Sequence, residues 1–177
     1  MIVIVMGVTG TGKSTIAKAL AERTGWTFAE GDDYHSAANV AKMKSGVPLN
    51  DSDRAPWLAA LHDVLLGWQA DGKSGVMTCS ALKQSYRETL GDGMEPAYFR
   101  FILLEVPKQV LIDRLRHRPG HFMNPALLDS QLATLEVTAD LVRVNADQPP
   151  ANTVDDILKQ LGAQAAELTT TAEKKGT

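Results

Sequence analysis

The chain has one cysteine, Cys79, in 177 residues, so an internal disulfide is excluded and nothing points to an oxidising compartment. It also lacks an excess of charge of either sign. Its 18 basic and 21 acidic residues leave a net charge of -3, which does not mark the chain as a whole for nucleic acid or an anionic membrane. Any phosphate binding must therefore come from a local site. The apolar start, Met1 to Met6, spans six residues and carries no basic segment, so it reads as neither a signal peptide nor a membrane span. There is no internal repeat and no internal domain boundary. These absences predict a cytoplasmic protein with no nucleic-acid and no membrane partner.

What is present is ordinary globular composition, 44% apolar and 22% charged, which excludes a disordered or collagen-like chain. A chain of this length makes one domain and buries roughly two thirds of its unfolded surface, so it needs no metal or cross-link to fold. Apolar runs rich in β-branched residues alternate with segments of helical period. Strands are expected at Ile2–Met6, Trp26–Glu30, Val76–Cys79, Phe99–Leu104 and Leu141–Val144. Helices are expected at Ser14–Thr24, Ser36–Gly46, Asp53–Gln69, Leu82–Leu90, Pro107–Arg116, from Asn124 onward, and at Thr153–Leu161 with a Thr153–Asp156 capping box. The alternation predicts an α/β fold: a parallel sheet with helices on both faces. Residues 1–166 read as a single domain, and 167–177 as a polar, loosely attached tail.

Gly7-Val8-Thr9-Gly10-Thr11-Gly12-Lys13-Ser14, followed by Thr15, satisfies G-x-x-x-x-G-K-[ST] at every fixed position, between a buried strand and an amphipathic helix. Glycines let the backbone N–H groups wrap a β-phosphate, and the helix N-terminus adds partial positive charge. Lys13 is placed to reach the β- and γ-phosphates, and the Ser14 hydroxyl to ligate Mg²⁺. The pattern calls for a nucleoside triphosphate without saying what becomes of the γ-phosphate.

Glu30-Gly31-Asp32-Asp33-Tyr34-His35 closes the second strand, at the sheet edge where ligands of open parallel sheets collect. An aspartate there can act as base or support Mg²⁺; an acidic turn is the plainer alternative. On an extended segment the side chains of Asp32 and Asp33 alternate, so only one of them faces the acceptor. His35 fits a solvated turn as well as a substrate contact. Asp51, Asp53 and Arg54 precede a long helix, where Asp53 reads as the N-cap and Arg54 is left unexplained by capping. Lys83 and Arg87, four apart, share a helix face that is either a rim for an anionic acceptor or a solvated surface. Cys79 and the Trp57, Leu61, Trp68 stripe read as core. Arg114-Leu115-Arg116-His117-Arg118-Pro119-Gly120-His121-Phe122 suits a mobile lid that closes arginines over a triphosphate. Asp147-Gln148-Pro149-Pro150 is a candidate wall for the nucleotide base.

These segments together resemble bacterial gluconokinase: the phosphate loop, Gly31-Asp32 with His35, Lys42-Met43, and Pro48-Leu49-Asn50-Asp51 through Asp53-Arg54 and Pro56-Trp57-Leu58. Cys79-Ser80-Ala81-Leu82-Lys83 with Tyr86-Arg87, Gly120-His121-Phe122, and Gln131 with Thr134-Leu135 complete the pattern, to about Gly162. The resemblance implies a three-layer phosphate-loop kinase fold with a five-stranded parallel sheet and a lid at about 114–136. It implies ATP-dependent phosphorylation of D-gluconate to 6-phosphogluconate, and a homodimer. Carried over by position, Lys13, Asp32 and Arg118 are the catalytic residues. Gly7 through Thr15 with Arg114, Arg118 and Pro149 hold the nucleotide. Asp32, His35, Asp53, Arg54, Lys83, Arg87 and His121 bind the sugar acid. One position departs from the pattern: residue 33, usually hydrophobic in the family, is Asp here, and Asp32 is the aspartate that matches. Two rivals stand beside this reading: a related kinase for shikimate or another sugar acid, and a nucleotide-binding switch. A guanine-reading Asn-Lys-x-Asp segment, which a GTPase switch would carry, is absent from the sequence.

Overall fold

The structure, a computed structural model, describes residues 1–117 and 125–175, with side chains left undescribed at 125–126 and beyond 162. β1 (Ile2–Met6) is the middle of a five-stranded parallel sheet of order β2-β3-β1-β4-β5. β2 spans Thr27–Glu30, β3 Gly75–Thr78, β4 Phe99–Glu105 and β5 Val142–Asn145. All five residues of β1 are buried, and strand alternation sends them to two different cores. Ile2, Ile4 and Met6 meet α3 (Asp51–Ala70) and α4 (Gln84–Gly91) through Trp57, Leu61, Leu65 and Leu90. Val3 and Val5 meet α1 (Lys13–Thr24) and α7 (Pro150–Lys175) through Ile16, Leu20, Val154 and Ile157. The three-layer expectation is met, and a continuous apolar strand is explained by cover on both faces.

A third, smaller core joins Val8, Leu82, Leu111, Leu115 and Leu128. It packs α5 (Lys108–Arg116) and α6 (Pro125–Thr134) against the carboxyl end of the sheet. α2 (Ala37–Lys44) starts at Ser36, whose hydroxyl accepts the Asn39 N–H at 3.2 Å, and Gly25 ends α1 in the left-handed conformation.

Three helix starts differ from the sequence reading by two residues or more, and α4 is one of them, beginning at Gln84 rather than Leu82. α3 begins at Asp51, not Asp53: Asn50 is the N-cap, and Asn50 and Asp53 exchange side-chain and backbone bonds as a capping box. α7 begins at Pro150, with the Pro149 carbonyl accepting from the Thr153 N–H at 3.2 Å. Thr153 is fully buried inside the helix rather than capping it, since proline already fits the first helical position. The helix continues to Lys175, through the stretch read as a tail. Among the described residues, no helix is long and apolar enough to cross a membrane.

Candidate active site

The phosphate loop sits between β1 and α1 as the motif requires. Gly7, Gly10 and Gly12 hold φ of 142°, 83° and 92°, values that L side chains rarely adopt. At Gly7 space is also short, because a Cβ would lie 3.1 Å from the Leu104 carbonyl oxygen. The loop is braced from within: Thr11 Oγ1 donates to the Val8 carbonyl at 2.9 Å, and Lys13 Nζ to the Gly7 and Val8 carbonyls at 3.0 and 3.1 Å. Ser14 and Thr15 are exposed on the first turn of α1. The lysine thus lies along the loop, its ammonium held beside the peptide groups that would wrap a phosphate.

The second strand does not simply run on. Gly31–Tyr34 forms a 3₁₀ turn, so Asp32 and Asp33 diverge by roughly a third of a turn rather than alternating, and both are exposed. Gly31 is the pivot: its N–H donates to Thr78 Oγ1 at 3.0 Å and its carbonyl accepts from Trp57 Nε1 at 2.7 Å. A Cβ there would fall 2.0 Å from the Thr78 carbonyl oxygen, so only glycine allows the turn to lie on β3. His35 stacks on Trp57 with ring centroids 4.3 Å apart, and its buried Nδ1 has no hydrogen-bond partner among the described residues. Burial holds the His35 pKa below its ordinary value, opposed by the nearby Asp32 carboxylate and assisted by Arg54. Asp32, His35 and Arg54 are therefore electrostatic neighbours. Cys79 is buried, and its thiol is pushed up to about 12 by that burial, as a core residue should be.

Beside the loop opens a cleft of about 610 Å³. Its walls come from four separate stretches: Pro48 to Arg54, Ser80 to Lys83, Tyr86, and α6 through Leu127, Ser130, Gln131 and Thr134. Its charged groups are held by hydrogen bonds within the cleft wall. Lys83 Nζ donates to both Asp51 carboxylate oxygens at 2.9 and 2.8 Å, and the Tyr86 hydroxyl donates to Asp51 Oδ1. Arg54 donates to the Leu49 carbonyl at 2.6 Å and reaches the Tyr86 hydroxyl at 3.5 Å, with its guanidinium over the ring. The Lys83 hydrogen bond, followed by that of Tyr86, keeps the Asp51 carboxyl below its usual range, and Asp51 in turn raises Lys83. Burial, with the Asp51 bond adding to it, raises Tyr86.

Of the sequence-predicted residues, Arg54 and Lys83 come together in this cleft, and His35 lies within electrostatic reach of both Asp32 and Arg54. Asp53 is engaged elsewhere. Its Oδ2 accepts the Asn50 N–H at 2.8 Å and Lys42 Nζ at 2.5 Å, closing the start of α3 against α2. Arg87 is a correction. It is 3% exposed and does not line the cleft. Its guanidinium donates to the carbonyls of Ala81, Leu82 and Glu136 and to Thr138 Oγ1, at 3.0, 3.2, 2.9 and 3.1 Å. Ala81 has φ of 43°, so Arg87 pins a strained turn that carries Ser80 to Lys83 into the cleft. The i, i+4 spacing fails as a guide because Lys83 is the N-cap of α4 and turns outward while Arg87 turns in.

Arg114 donates to the Ala146 carbonyl at 3.0 Å and lies 3.5 Å from Asp147, which ties the end of α5 to the loop before Pro149. Arg118 and His121 lie outside the described residues. Tyr86 and Asp51 line the cleft although the sequence reading gives neither a binding role. The signal that could have found them is their place inside the two most distinctive segments.

A phosphate loop on a five-stranded parallel sheet, facing a polar, cationic cleft of small-molecule size, defines a phosphate-loop kinase of small molecules. A family model described as an AAA domain matches residues 2–138. The chain is 48% identical over 165 residues to a gluconokinase of Gluconobacter oxydans (strain 621H), covering 91% of each chain. It is 39% identical to the thermoresistant gluconokinase of Escherichia coli (strain K12), covering 89% of this chain and 94% of that one. The crystal structure of a gluconokinase from Sinorhizobium meliloti 1021 superimposes with a TM-score of 0.84 at 42% identity, covering 96% and 95% of the two chains. The chain belongs to the gluconokinase family. A shikimate kinase from Aquifex aeolicus, at 18% identity and a TM-score of 0.61, shares the fold alone.

Proposed function

We propose that this protein transfers the γ-phosphoryl group of ATP to a hydroxyl of D-gluconate, giving 6-phospho-D-gluconate and ADP. The observation that carries the reading is the meeting of the phosphate loop with a cleft that presents Arg54 and Lys83, cations suited to a sugar-acid carboxylate. Phosphoryl transfer asks for positioning and charge neutralisation rather than covalent chemistry by the protein. Loop N–H groups and Lys13 bind the β- and γ-phosphates, and Arg118 from the lid, at about 114–136, closes over them. Arg114 and Pro149 border the base. Asp32 orients the acceptor hydroxyl and takes its proton, with His35 and His121 toward the sugar hydroxyls, while Asp53, expected there from the sequence, serves the start of α3.

Mg²⁺ fits the site through the Ser14 hydroxyl, a hard oxygen donor exposed at the start of α1. Among the described residues no cluster of His, Cys, Asp or Glu could hold a metal alone, so the nucleotide's phosphates and water would supply most ligands. When bound, the ion neutralises charge on the β- and γ-phosphates. Residues 1–166 are read as one catalytic domain; the cytoplasmic location rests on the composition of the sequence and the homodimer on family resemblance.

The test is ADP release by purified protein with ATP and Mg²⁺, with and without a panel of sugar acids. Turnover that depends on D-gluconate and yields a phosphomonoester is the expected result. Slow hydrolysis indifferent to every acid would mean a nucleotide switch, and preference for a cyclic acid such as shikimate would move the substrate.

A further inference from the structure

Gln131, on α6, is the one described side chain that both lines the acceptor cleft and bonds the phosphate loop: its Oε1 accepts the Thr9 N–H at 2.7 Å. A backbone N–H can be satisfied only by the oxygen limb of a carboxamide, so the bond fixes which limb is which. Nε2 is then the remaining limb, and among the described residues nothing accepts from it. α6 itself is held at both sides of this contact. Leu128 is buried with Val8 and Leu82, so the helix touches the phosphate loop and the acceptor turn at once. Just past its end, Glu136 donates its N–H to the Leu82 carbonyl at 2.9 Å and accepts the Gln84 N–H at 2.6 Å.

We propose that Gln131 is a positioning residue that joins the two substrates: Oε1 sets the carboxamide on the phosphate loop, and Nε2 donates to an oxygen of the sugar acid in the cleft. The inference rests on the gluconate reading for the identity of that acceptor, but not for the bond to Thr9. A carboxamide can serve both limbs at once, whereas an ionised carboxylate at this position only accepts. An acceptor bound in the cleft is thereby registered against the loop that holds the γ-phosphate, and loss of the link loosens the approach geometry on which transfer depends.

The test uses the full chain and two variants. Gln131→Met keeps the length of the side chain and removes both polar limbs; Gln131→Glu keeps the acceptor and removes the donor. In the ligand-free protein, amide hydrogen exchange at Thr9 is expected to be slow in the wild type and in Gln131→Glu. It should be about tenfold faster or more in Gln131→Met. With ATP and Mg²⁺, the KM for D-gluconate should rise about tenfold in both variants, the effect of one lost hydrogen bond to substrate. The KM for ATP should stay within about threefold in Gln131→Met, and its melting temperature should confirm the fold. A gluconate KM and kcat within twofold of wild type in Gln131→Met would overturn the proposal. Restoration of the wild-type gluconate KM by Gln131→Glu would overturn its donor half. A rise in both KM values by the same factor, with a lowered melting temperature, would make Gln131 structural only. Failure of the wild type itself to use gluconate would count against the proposed function, while Thr9 exchange still reads the loop contact.

Discussion

The two halves of the site are built by opposite means. The phosphate side is one contiguous stretch, Gly7 to Ser14, whose work is done by backbone: three glycines at positive φ, a helix N-terminus, and a lysine laid along two carbonyls. The acceptor side is gathered from residues 48–54, 80–86 and 127–134, regions far apart in sequence, and its work is done by side chains that hold one another. Asp51, Lys83, Tyr86 and Arg54 form a connected set in which each charge has a partner before any ligand arrives. The difference has a physical source. A phosphate is a constant group that repeated peptide dipoles can satisfy, whereas a polyol acid needs a carboxylate partner and several hydroxyl partners at defined places.

That comparison can be broken at its seam first. Asp32 stands on the 3₁₀ turn that follows β2, near His35. Asp32→Asn keeps size and reach but removes the proton acceptor, and kcat at saturating gluconate is expected to fall by about 10²–10⁴-fold with the nucleotide Kd little changed. Asp33→Asn, a third of a turn away, should be far milder. If Asp33→Asn were the crippled enzyme, the base would be misassigned.

On the phosphate side, Lys13→Ala should lower kcat by about 10²–10³-fold, the size found when a charge-stabilising donor is removed from a transition state. Circular dichroism and the melting temperature should show the fold intact, because the ammonium braces the loop and not the core. Near-normal turnover would remove Lys13 from the chemistry.

On the acceptor side a single deletion should cost less, because the set is redundant. Tyr86→Phe removes the hydroxyl that links Asp51 to Arg54 and leaves the ring under both cations. The KM for gluconate is expected to rise about three- to tenfold with kcat within about threefold. A kcat loss as large as that of Lys13→Ala would contradict the division of labour.

The smallest effect is on stability. Burial holds the His35 pKa below 6.5, so below that value the unfolded chain binds a proton that the folded chain resists. Stability should therefore rise with pH up to about 6.5 and be lost as pH falls through it toward the folded pKa, flattening once both states are protonated. His35→Phe, stacked on Trp57 in the same place, should remove that slope from urea melts taken between pH 5 and 7. An unchanged slope would place its origin elsewhere.

The same contrast explains how much could be read from the sequence. The phosphate loop was legible residue by residue, because its chemistry depends on glycines at fixed spacing between a strand and a helix. The central strand was legible because burial on both faces leaves an unbroken apolar run, Ile2–Met6, whereas the edge strand Val142–Asn145 alternates buried and exposed residues. Side-chain roles on the acceptor side were less so. Asp53 and Asn50 are both good caps, and only the exchange of bonds in three dimensions assigns Asn50 to the cap and Asp53 to the third position. Arg87 shares its helical spacing with Lys83 but is drawn inward by four oxygens, three of them from peptide groups that no sequence pattern marks. Tyr86 and Gln131 lie in the segments that carry the family resemblance, yet their pairing with Asp51 and Thr9 spans 35 and 122 residues.

The most direct measurement of the central claim is the ratio of kcat/KM for D-gluconate to that for D-glucose, with ATP and Mg²⁺, by coupled ADP release. The two acceptors share a six-carbon chain; glucose lacks the carboxylate, where Arg54 and Lys83 are proposed to act, and closes into a ring. A charge-assisted contact is worth about 1.5–3 kcal/mol, so two such contacts predict a ratio of about 10² or more in favour of gluconate. Equal rates on the two sugars would contradict the account.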